Sequence, residues 1–177
     1  MGETLAALNR LEEPAVRWVV TASRRRPGLA ASCHWISRLG NGWIYFFVGA
    51  GAVLGVKGAA GLRLLGTAGG AAGFAFLPYS YIKLRLARLR PCDQWPALSS
   101  GLAPLDRFSC PSGHCMTLAA VGTPLAWSHP PLIPVILAIT LVMAWARIAQ
   151  GHHYPSDILV GTAIGLSVGA AVSAAFL

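Results

Sequence analysis

The run Arg147-Ile-Ala-Gln-Gly-His-His-Tyr-Pro-Ser-Asp157 interrupts a long apolar C-terminal region. Its two end residues are the only charged side chains between Phe108 and Leu177. An ionisable group beside long apolar segments is costly to keep, and by default it indicates a functional site. The run supplies a cation, a base or nucleophile at His153, and a carboxylate. A phosphate-handling site is therefore the first hypothesis for this part of the chain.

The composition around this run is that of an integral membrane protein. The 177 residues are 55% hydrophobic and 11% charged, whereas soluble domains average about 25% charged residues. Because each membrane span takes roughly 20 residues, a bundle of about four to six helices uses nearly the whole chain. Residues 1–27 lack the basic start and apolar centre of a signal peptide, so we expect no cleaved leader.

The net charge of +8 indicates the class of partner. The basic residues have few interleaved aromatic residues and they adjoin apolar segments, which is not typical of a nucleic-acid interface. Anionic lipid head groups fit this arrangement better. We therefore expect membrane lipids, and no nucleic acid, as partners.

Five apolar runs predict five membrane-spanning helices. These runs are 43–56, 64–81, 115–127, 132–146 and 158–177. The expected fold class is all-α, a polytopic transmembrane helix bundle over residues 41–177. Residues 1–40 form an N-terminal amphipathic segment with one or two interfacial helices, in which Trp18 and Trp35 lie at head-group depth. A sixth span in this segment would have to bury Arg17 or the arginines at 24–26.

Small residues and cysteines give weaker signals. Gly161, Gly165 and Gly169 are spaced by four, which lets helix backbones approach closely, and we expect packing within the bundle rather than a dimer face. No oligomer is implied.

The four cysteines lack metal-ligand spacing. Cys92 and Cys110 end one polar loop, and a disulfide between them requires an oxidising compartment.

Three polar stretches come together if the spans alternate across the membrane: 83–91, 111–114 and 147–157. Lys83 and Arg90 are seven positions apart, so on a helix that continues from the second span they project from nearly one side. Two converging cations suit a polyanion. The alternative is a set of basic anchors at the end of a span, as for Arg85 and Arg88.

The second stretch is Pro111-Ser-Gly-His114, which is typical of a helix N-terminus. Ser112 is the expected capping hydroxyl, and free amides near Gly113 make an anion site. His114 follows in the first turn, where it can donate a proton to the leaving oxygen of a bound anion. The alternative is an ordinary cap followed by a surface histidine.

In the third stretch, His153 and Asp157 either stack on one continuous helix or flank its start, with Pro155 beginning the last helix. In both cases the carboxylate can reach one ring nitrogen, which leaves the other nitrogen free to attack phosphorus. His152 and Tyr154 are expected to be membrane-interface residues.

The three stretches together resemble the signature of the type 2 phosphatidic acid phosphatase superfamily, which includes lipid phosphate phosphatases and vanadium haloperoxidases. The matching motifs are Lys83-x6-Arg90-Pro91, Pro111-Ser112-Gly113-His114 and Arg147-x5-His153-x3-Asp157. The resemblance implies an integral membrane lipid phosphatase that uses no metal or other cofactor. It implies hydrolysis of a phosphoric monoester or diphosphate through a phosphohistidine intermediate.

The resemblance also implies a role for each motif residue. His153 is the nucleophile, Asp157 orients it, and His114 protonates the leaving alkoxide. The phosphoryl oxygens are then held by Lys83, Arg90, Ser112, Gly113 and Arg147. One departure is Ala146, where the family usually has serine. A supporting hydrogen bond is lost there, but activity is expected to survive because no charge or nucleophile is replaced.

The expected substrate is an amphiphile whose tail stays among the spans. Candidates are a polyprenyl phosphate, a polyprenyl diphosphate, a prenyl-linked sugar phosphate, and a glycerophospholipid phosphate such as phosphatidate or phosphatidylglycerophosphate. A catalytically weak scaffold that binds lipid phosphate is the alternative of a different class. A vanadate-dependent haloperoxidase ranks last, because this activity is usually found on soluble scaffolds in the superfamily.

The distribution of positive charge predicts the membrane face of the site. With five spans, most lysines and arginines share a face with the site, and only Lys57 and Arg63 lie opposite. The positive-inside rule then places the site at the cytoplasmic face of the inner membrane. A sixth span would reverse this orientation. In the family that the chain resembles, the site of many members faces outward.

Overall fold

The computed structural model describes residues 2–56 and 58–177, so the loop cation Lys57 lies outside the described residues. Over these ranges the chain is helical and contains no strand, which confirms the all-α prediction. In chain order the helices are α1 (Gly2–Arg24), α2 (Pro27–Gly40), α3 (Trp43–Gly55), α4 (Ala59–Leu86), α5 (Pro91–Gln94), α6 (Gly113–Ser128), α7 (Ile133–Ala149) and α8 (Pro155–Phe176). Short 3₁₀ turns at Pro96–Leu98 and Pro130–Leu132 precede the 99–112 loop and α7, respectively.

Each of the five apolar runs is a helix, namely α3, α4, α6, α7 and α8. By length and composition, three segments of the described chain are able to cross a membrane: Ala59–Gln94, Pro130–Ala149 and Pro155–Phe176. Helices α3 and α6 have 13 and 16 residues, fewer than the roughly 20 residues of a typical span. The structure therefore supports a membrane helix bundle, and the number of five spans stays a prediction.

Helix α6 is the centre of the bundle and packs against α4, α7 and α8. The close contact between α6 and α8 depends on the three glycines spaced by four. A Cβ atom at Gly161 would lie 2.5 Å from the carbonyl oxygen of Ser112, and one at Gly169 would lie 2.7 Å from Cβ of Thr123. Packing within the bundle is thus confirmed for these glycines. The packing of α6 on α8 places the starts of these two helices side by side, and two of the three motifs lie there.

The N-terminal segment forms two helices, α1 and α2, that pack against α7. Val16 and Val20 of α1 are buried with Leu98 and Tyr154, next to the third motif. Ala146 is fully buried in a second apolar cluster of α1, α2 and α7 residues, so hydrophobic packing fills the one position that departs from the motif. The N-terminal segment therefore contacts the motif loops directly.

The predicted continuation of the second span through Arg90 is wrong. Helix α4 ends at Leu86, because Ala87 adopts the left-handed conformation with φ of 44°. Arg90 is extended, with φ of −75° and ψ of 154°, as expected for a residue before proline. The chain therefore reverses after α4, and Arg88 and Arg90 bind different partners.

The outer surface agrees with a membrane setting. Helix α7 exposes a band of apolar side chains, among them Ile133, Val135, Leu137 and Leu141, as lipid-facing helices do.

Cys33, Cys92, Cys110 and Cys115 are free. The disulfide considered for Cys92 and Cys110 is therefore not formed in this structure.

Candidate active site

The three motifs converge on one cavity of about 390 Å³. Six of the predicted site residues line it, namely Lys83, Arg90, Gly113, His114, Arg147 and His153. Ser112 and Asp157 do not line the cavity and are fully buried. The other side of the cavity is apolar, with Tyr45, Phe76 and Leu105. Phe76 and Leu105 are 47% and 70% exposed, so the cavity has a cationic end and an apolar opening.

Two cations at the polar end share one carboxylate that the sequence did not reveal. The Lys83 ammonium donates to Asp106 Oδ2 at 2.6 Å, and the Arg90 guanidinium donates to Asp106 Oδ1 at 2.5 Å. Tyr79 also donates its hydroxyl to Asp106, at 2.7 Å. Burial favours a raised pKa for Asp106, but the hydrogen bonds from Lys83 and Tyr79 outweigh it and lower the pKa to about 2. Asp106 is therefore a carboxylate at any working pH.

Arg147 supplies the third cation, from the last turn of α7. It is 4% exposed, and its hydrogen bond is to the neutral amide oxygen of Gln150, at 3.3 Å. No salt bridge within the described ranges involves Arg147. Three cations facing one carboxylate leave a surplus of two positive charges, which matches a phosphate monoester of about −1.5 to −2.

The imidazole of His153 faces these cations. Its Nε2 lies 3.4 Å from Arg90 Nη1, and since a guanidinium only donates, Nε2 carries the lone pair. Nδ1 therefore carries the proton and lies 3.7 Å from Asp157 Oδ2. Burial, followed by the charges of Arg147 and Arg90, holds the pKa of His153 well below its ordinary value. The ring is thus neutral, as an attacking nitrogen must be.

Asp157 is held from two sides at the start of α8. Pro155 begins this helix, which confirms the second of the two arrangements considered for His153 and Asp157. Asp157 Oδ2 accepts the backbone N–H of Tyr154 at 2.8 Å, and Oδ1 accepts from Arg88 at 2.6 Å. The carboxylate therefore has a fixed orientation toward the ring.

The two neighbours of His153 are buried and do not lie at the membrane interface, so that prediction is wrong. His152 is 2% exposed and Tyr154 is fully buried. His152 Nε2 donates to the carbonyl oxygen of Leu102 at 3.0 Å, and the Tyr154 ring lies under the Arg88 guanidinium, 4.0 Å from it. These contacts fix the loop between α7 and α8, since they bind the residues on both sides of His153.

His114 is buried rather than a surface histidine. Its Nε2 lies 2.8 Å from Asn41 Oδ1 and 3.3 Å from the carbonyl oxygen of Ser37. Both partners are acceptors, so Nε2 carries the proton. A general acid needs a proton on the nitrogen that meets the leaving oxygen. Helix α2 and the residue after it therefore engage the Nε2 proton, so a proton for the leaving oxygen has to be carried by Nδ1.

The start of α6 only partly follows the prediction. Ser112 is the N-cap residue, but its hydroxyl makes no capping hydrogen bond and has no partner among the described atoms. The Ser112 backbone amide does have a partner, because it donates to the carbonyl oxygen of Asp157 at 3.0 Å. A Cβ atom on Gly113 would lie 3.0 Å from the Tyr79 hydroxyl. The Ser112 amide is thus occupied, and the Ser112 hydroxyl is buried outside the cavity lining.

Several site residues were missed because their sequence neighbourhoods are ordinary. Asp106 sits in a loop of mixed composition, Asn41 follows an N-terminal helix, and Arg88 looks like one of several basic anchors. Two features of the sequence pointed toward Asp106. Acidic residues are rare in this chain, with six Asp and Glu in all, and Asp106 lies between the first two motifs, close in sequence to both. Neither feature identifies a partner.

Comparison with known proteins agrees with this geometry. The model of the PAP2 superfamily matches residues 61–177. The decaprenylphosphoryl-5-phosphoribose phosphatase of Mycobacterium tuberculosis is 31% identical over 150 residues, which are 83% of this chain and 80% of that protein.

Two solved structures have a similar fold. A transmembrane PAP2-type phosphatidylglycerolphosphate phosphatase from Bacillus subtilis has a TM-score of 0.68 and 25% identity, covering 95% of this chain and 85% of that one. Aquifex aeolicus LpxE has a TM-score of 0.72 at 22% identity, covering 92% and 94% of the two chains. The second likeness concerns the fold alone.

Proposed function

Because this chain belongs to the PAP2 superfamily, we propose that it removes the terminal phosphate of an amphiphilic lipid phosphate through a phosphohistidine on His153, without a metal ion. The chain is a membrane lipid phosphatase, a hydrolase of phosphate esters. The observation that carries the mechanism is the neutral, buried His153 with Nε2 directed at Arg90 and its proton on the side of Asp157. A phosphate held by Lys83, Arg90 and Arg147 meets this nitrogen.

In the proposed first step, Nε2 of His153 attacks phosphorus and the bond to the ester oxygen breaks. His114, in its imidazolium form, gives the Nδ1 proton to that oxygen and becomes neutral, and the lipid alcohol leaves. In the second step, water gives a proton to His114 and attacks the phosphohistidine, so that the P–N bond breaks and inorganic phosphate is released. Cations that hold the phosphoryl oxygens stabilise the charge that develops in both steps. The Ser112 hydroxyl and the Gly113 amide complete the phosphate site in this proposal.

A second cavity favours a polar head group between the phosphate and the tail. Its volume is about 270 Å³, and its lining includes Ser37, Asn41, Arg147 and His152. Asn41 and Arg147 also line the first cavity, and Ser37 and Asn41 hold the general acid His114. The leaving group therefore has room for a ring on the His114 side. Among the candidate lipids, a prenyl-linked sugar phosphate fits best, in line with the sugar-linked substrate named for the mycobacterial relative.

The experiment that tests this proposal is phosphate release by the purified protein in detergent with chelator present. A panel of a prenyl-linked sugar phosphate, phosphatidylglycerophosphate, phosphatidate and glycerol phosphate separates the head group from the tail. We expect release from the lipids and kcat/KM for glycerol phosphate lower by about 100-fold, since remote binding energy is lost. A strict requirement for a divalent ion would contradict the mechanism, and equal rates for all substrates would contradict a lipid site.

The carboxylate of Asp106 predicts a measurable effect on affinity. It occupies the two cations that a phosphate needs, so Asp106→Asn should strengthen binding of inorganic phosphate by about tenfold, or about 1.4 kcal/mol. Competitive inhibition by phosphate measures this change. Asp93→Asn is the matched control, because Asp93 is exposed in the same connection between α4 and α6. Weaker binding in Asp106→Asn would mean that Asp106 arranges the cations rather than competing with the phosphate.

We further propose five spans with the site at the cytoplasmic face of the inner membrane. The support is the charge distribution, in which arginines cluster on the side of the motifs. A cysteine placed at Gly101, in the exposed loop beside the site, reports the face once the native thiols are replaced. Labelling of intact cells by a membrane-impermeant reagent would reverse the assignment.

A further inference from the structure

Arg88 is buried directly behind the catalytic carboxylate. It is 3% exposed and donates to four side chains: Asn9 at 2.8 Å, and Ser156, Asp157 and Glu12 at 2.6 Å each. Such a set of directional bonds suits the planar guanidinium. Arg88 is therefore not a basic anchor at a membrane surface. Its charge balances Asp157, which is fully buried and would be costly to keep ionised alone.

Glu12 of α1 completes this network from the N-terminal segment. Its Oε2 accepts from Arg88 at 2.6 Å and from the Ser156 hydroxyl at 2.7 Å, and its Oε1 accepts the Ser156 backbone N–H at 2.7 Å. Ser156 lies in the first turn of α8, next to Asp157. Glu12 thus fixes both the start of α8 and the cation that holds Asp157.

The contacts form one path to the reacting atom. Glu12 holds Arg88, Arg88 holds Asp157 Oδ1, and Asp157 Oδ2 lies 3.7 Å from the proton-bearing Nδ1 of His153, slightly beyond hydrogen-bond distance. Neither Glu12 nor Arg88 lines the cavity. Any effect they have on the reaction must therefore act through the position of Asp157, and not through contact with the phosphate.

We propose that Glu12 and Arg88 are positioning residues of the phosphatase, and that α1 is thereby a working part of its active site. Glu12 lies outside the matched family region of residues 61–177, so no motif of that region includes it. The inference rests on the proposed phosphohistidine mechanism. A small shift of Asp157 misdirects the ring, and we expect losses of about 10- to 100-fold, as for residues that hold the ligands of metal sites.

The test compares Glu12→Gln and Arg88→Lys with wild type. Both variants should lower kcat by about 10- to 100-fold while KM changes by less than about twofold, because the phosphate-binding cations are untouched. Protection against thermal unfolding by inorganic phosphate reports the phosphate site without turnover, and it should match wild type. Glu13→Gln is the matched control, since Glu13 is the next residue of α1 and pairs with the half-exposed Arg17.

A double variant adds a readout that general destabilisation does not mimic. If the two residues act through one path, Glu12→Gln combined with Arg88→Lys should lose about as much kcat as the more impaired single variant. Multiplied losses, a change in KM alone, or wild-type kcat in Glu12→Gln would overturn the inference. A wild-type protein that forms no protein-bound phosphate would overturn the mechanism itself, whereas equal formation in wild type and Glu12→Gln overturns only the positioning role.

Discussion

Replacing His153 with alanine should lower kcat for lipid phosphate hydrolysis by about 10⁴-fold or more, as removal of a nucleophile does in other enzymes with covalent intermediates. The reason is that Nε2 of the neutral ring carries a lone pair, and this lone pair is directed at the cationic end of the cavity. The measurement is protein-bound phosphate after rapid quenching of the enzyme with a radiolabelled lipid phosphate. Phosphate on a histidine nitrogen is labile in acid and stable in alkali, so the quench identifies the bond.

His129→Ala is the control for this experiment. His129 is exposed in the turn that ends α6, at the other end of the bundle from the site, and its replacement should leave both rate and labelling unchanged. Binding of inorganic phosphate to His153→Ala should persist, because Lys83, Arg90 and Arg147 remain. Wild-type amounts of bound label in His153→Ala would show that another residue is the nucleophile.

Replacing His114 with alanine should have the second largest effect, and its size should depend on the leaving group. For a lipid phosphate the leaving alkoxide needs a proton, and the loss in kcat/KM should be about 10³-fold, within the usual range for a general acid. For p-nitrophenyl phosphate the leaving nitrophenolate needs no proton, so the loss should be less than about tenfold. Steady-state rates with the two substrates, in wild type and His114→Ala, measure the difference.

The comparison also separates the general acid from a phosphate-binding residue. His114 lines the same cavity as the cations, and a residue that merely held phosphoryl oxygens would affect both substrates equally. Asn41→Ala provides a graded companion, since Asn41 accepts from His114 at 2.8 Å and its loss should weaken only the reaction that needs the acid. Equal losses for both substrates in His114→Ala would assign His114 to phosphate binding.

Much of the site could be read from the sequence because its chemistry is isolated. Arg147 and Asp157 are the only charges in the last part of the chain, and the motif spacing brings six of eight predicted residues to one cavity. Local rules also worked: Pro155 begins a helix and the spaced glycines lie at a helix contact. The failures were local as well, since Ala87 ends α4 early and Ser112 makes no capping bond.

The long-range partners could not be read in the same way. Asp106, Asn41 and Glu12 contact residues that are far away in the sequence, for example 144 positions between Glu12 and Ser156. Periodicity relates residues of one helix to each other, but it does not say which loop or helix will cover a given face. Such contacts depend on packing, which many residues determine together.

By itself, the sequence determined the helical membrane class, the residue types of the candidate site and the side of the bundle on which they meet, because apolar length and residue spacing are properties of the chain. Only the tertiary structure decided the protonation of His153, the charge balance at Lys83 and Arg90, and the use of α1 to hold Asp157. The physical reason is that a charge in a protein responds to burial and to every neighbouring charge. Those neighbours come from separate segments, and only folding brings them within reach of each other.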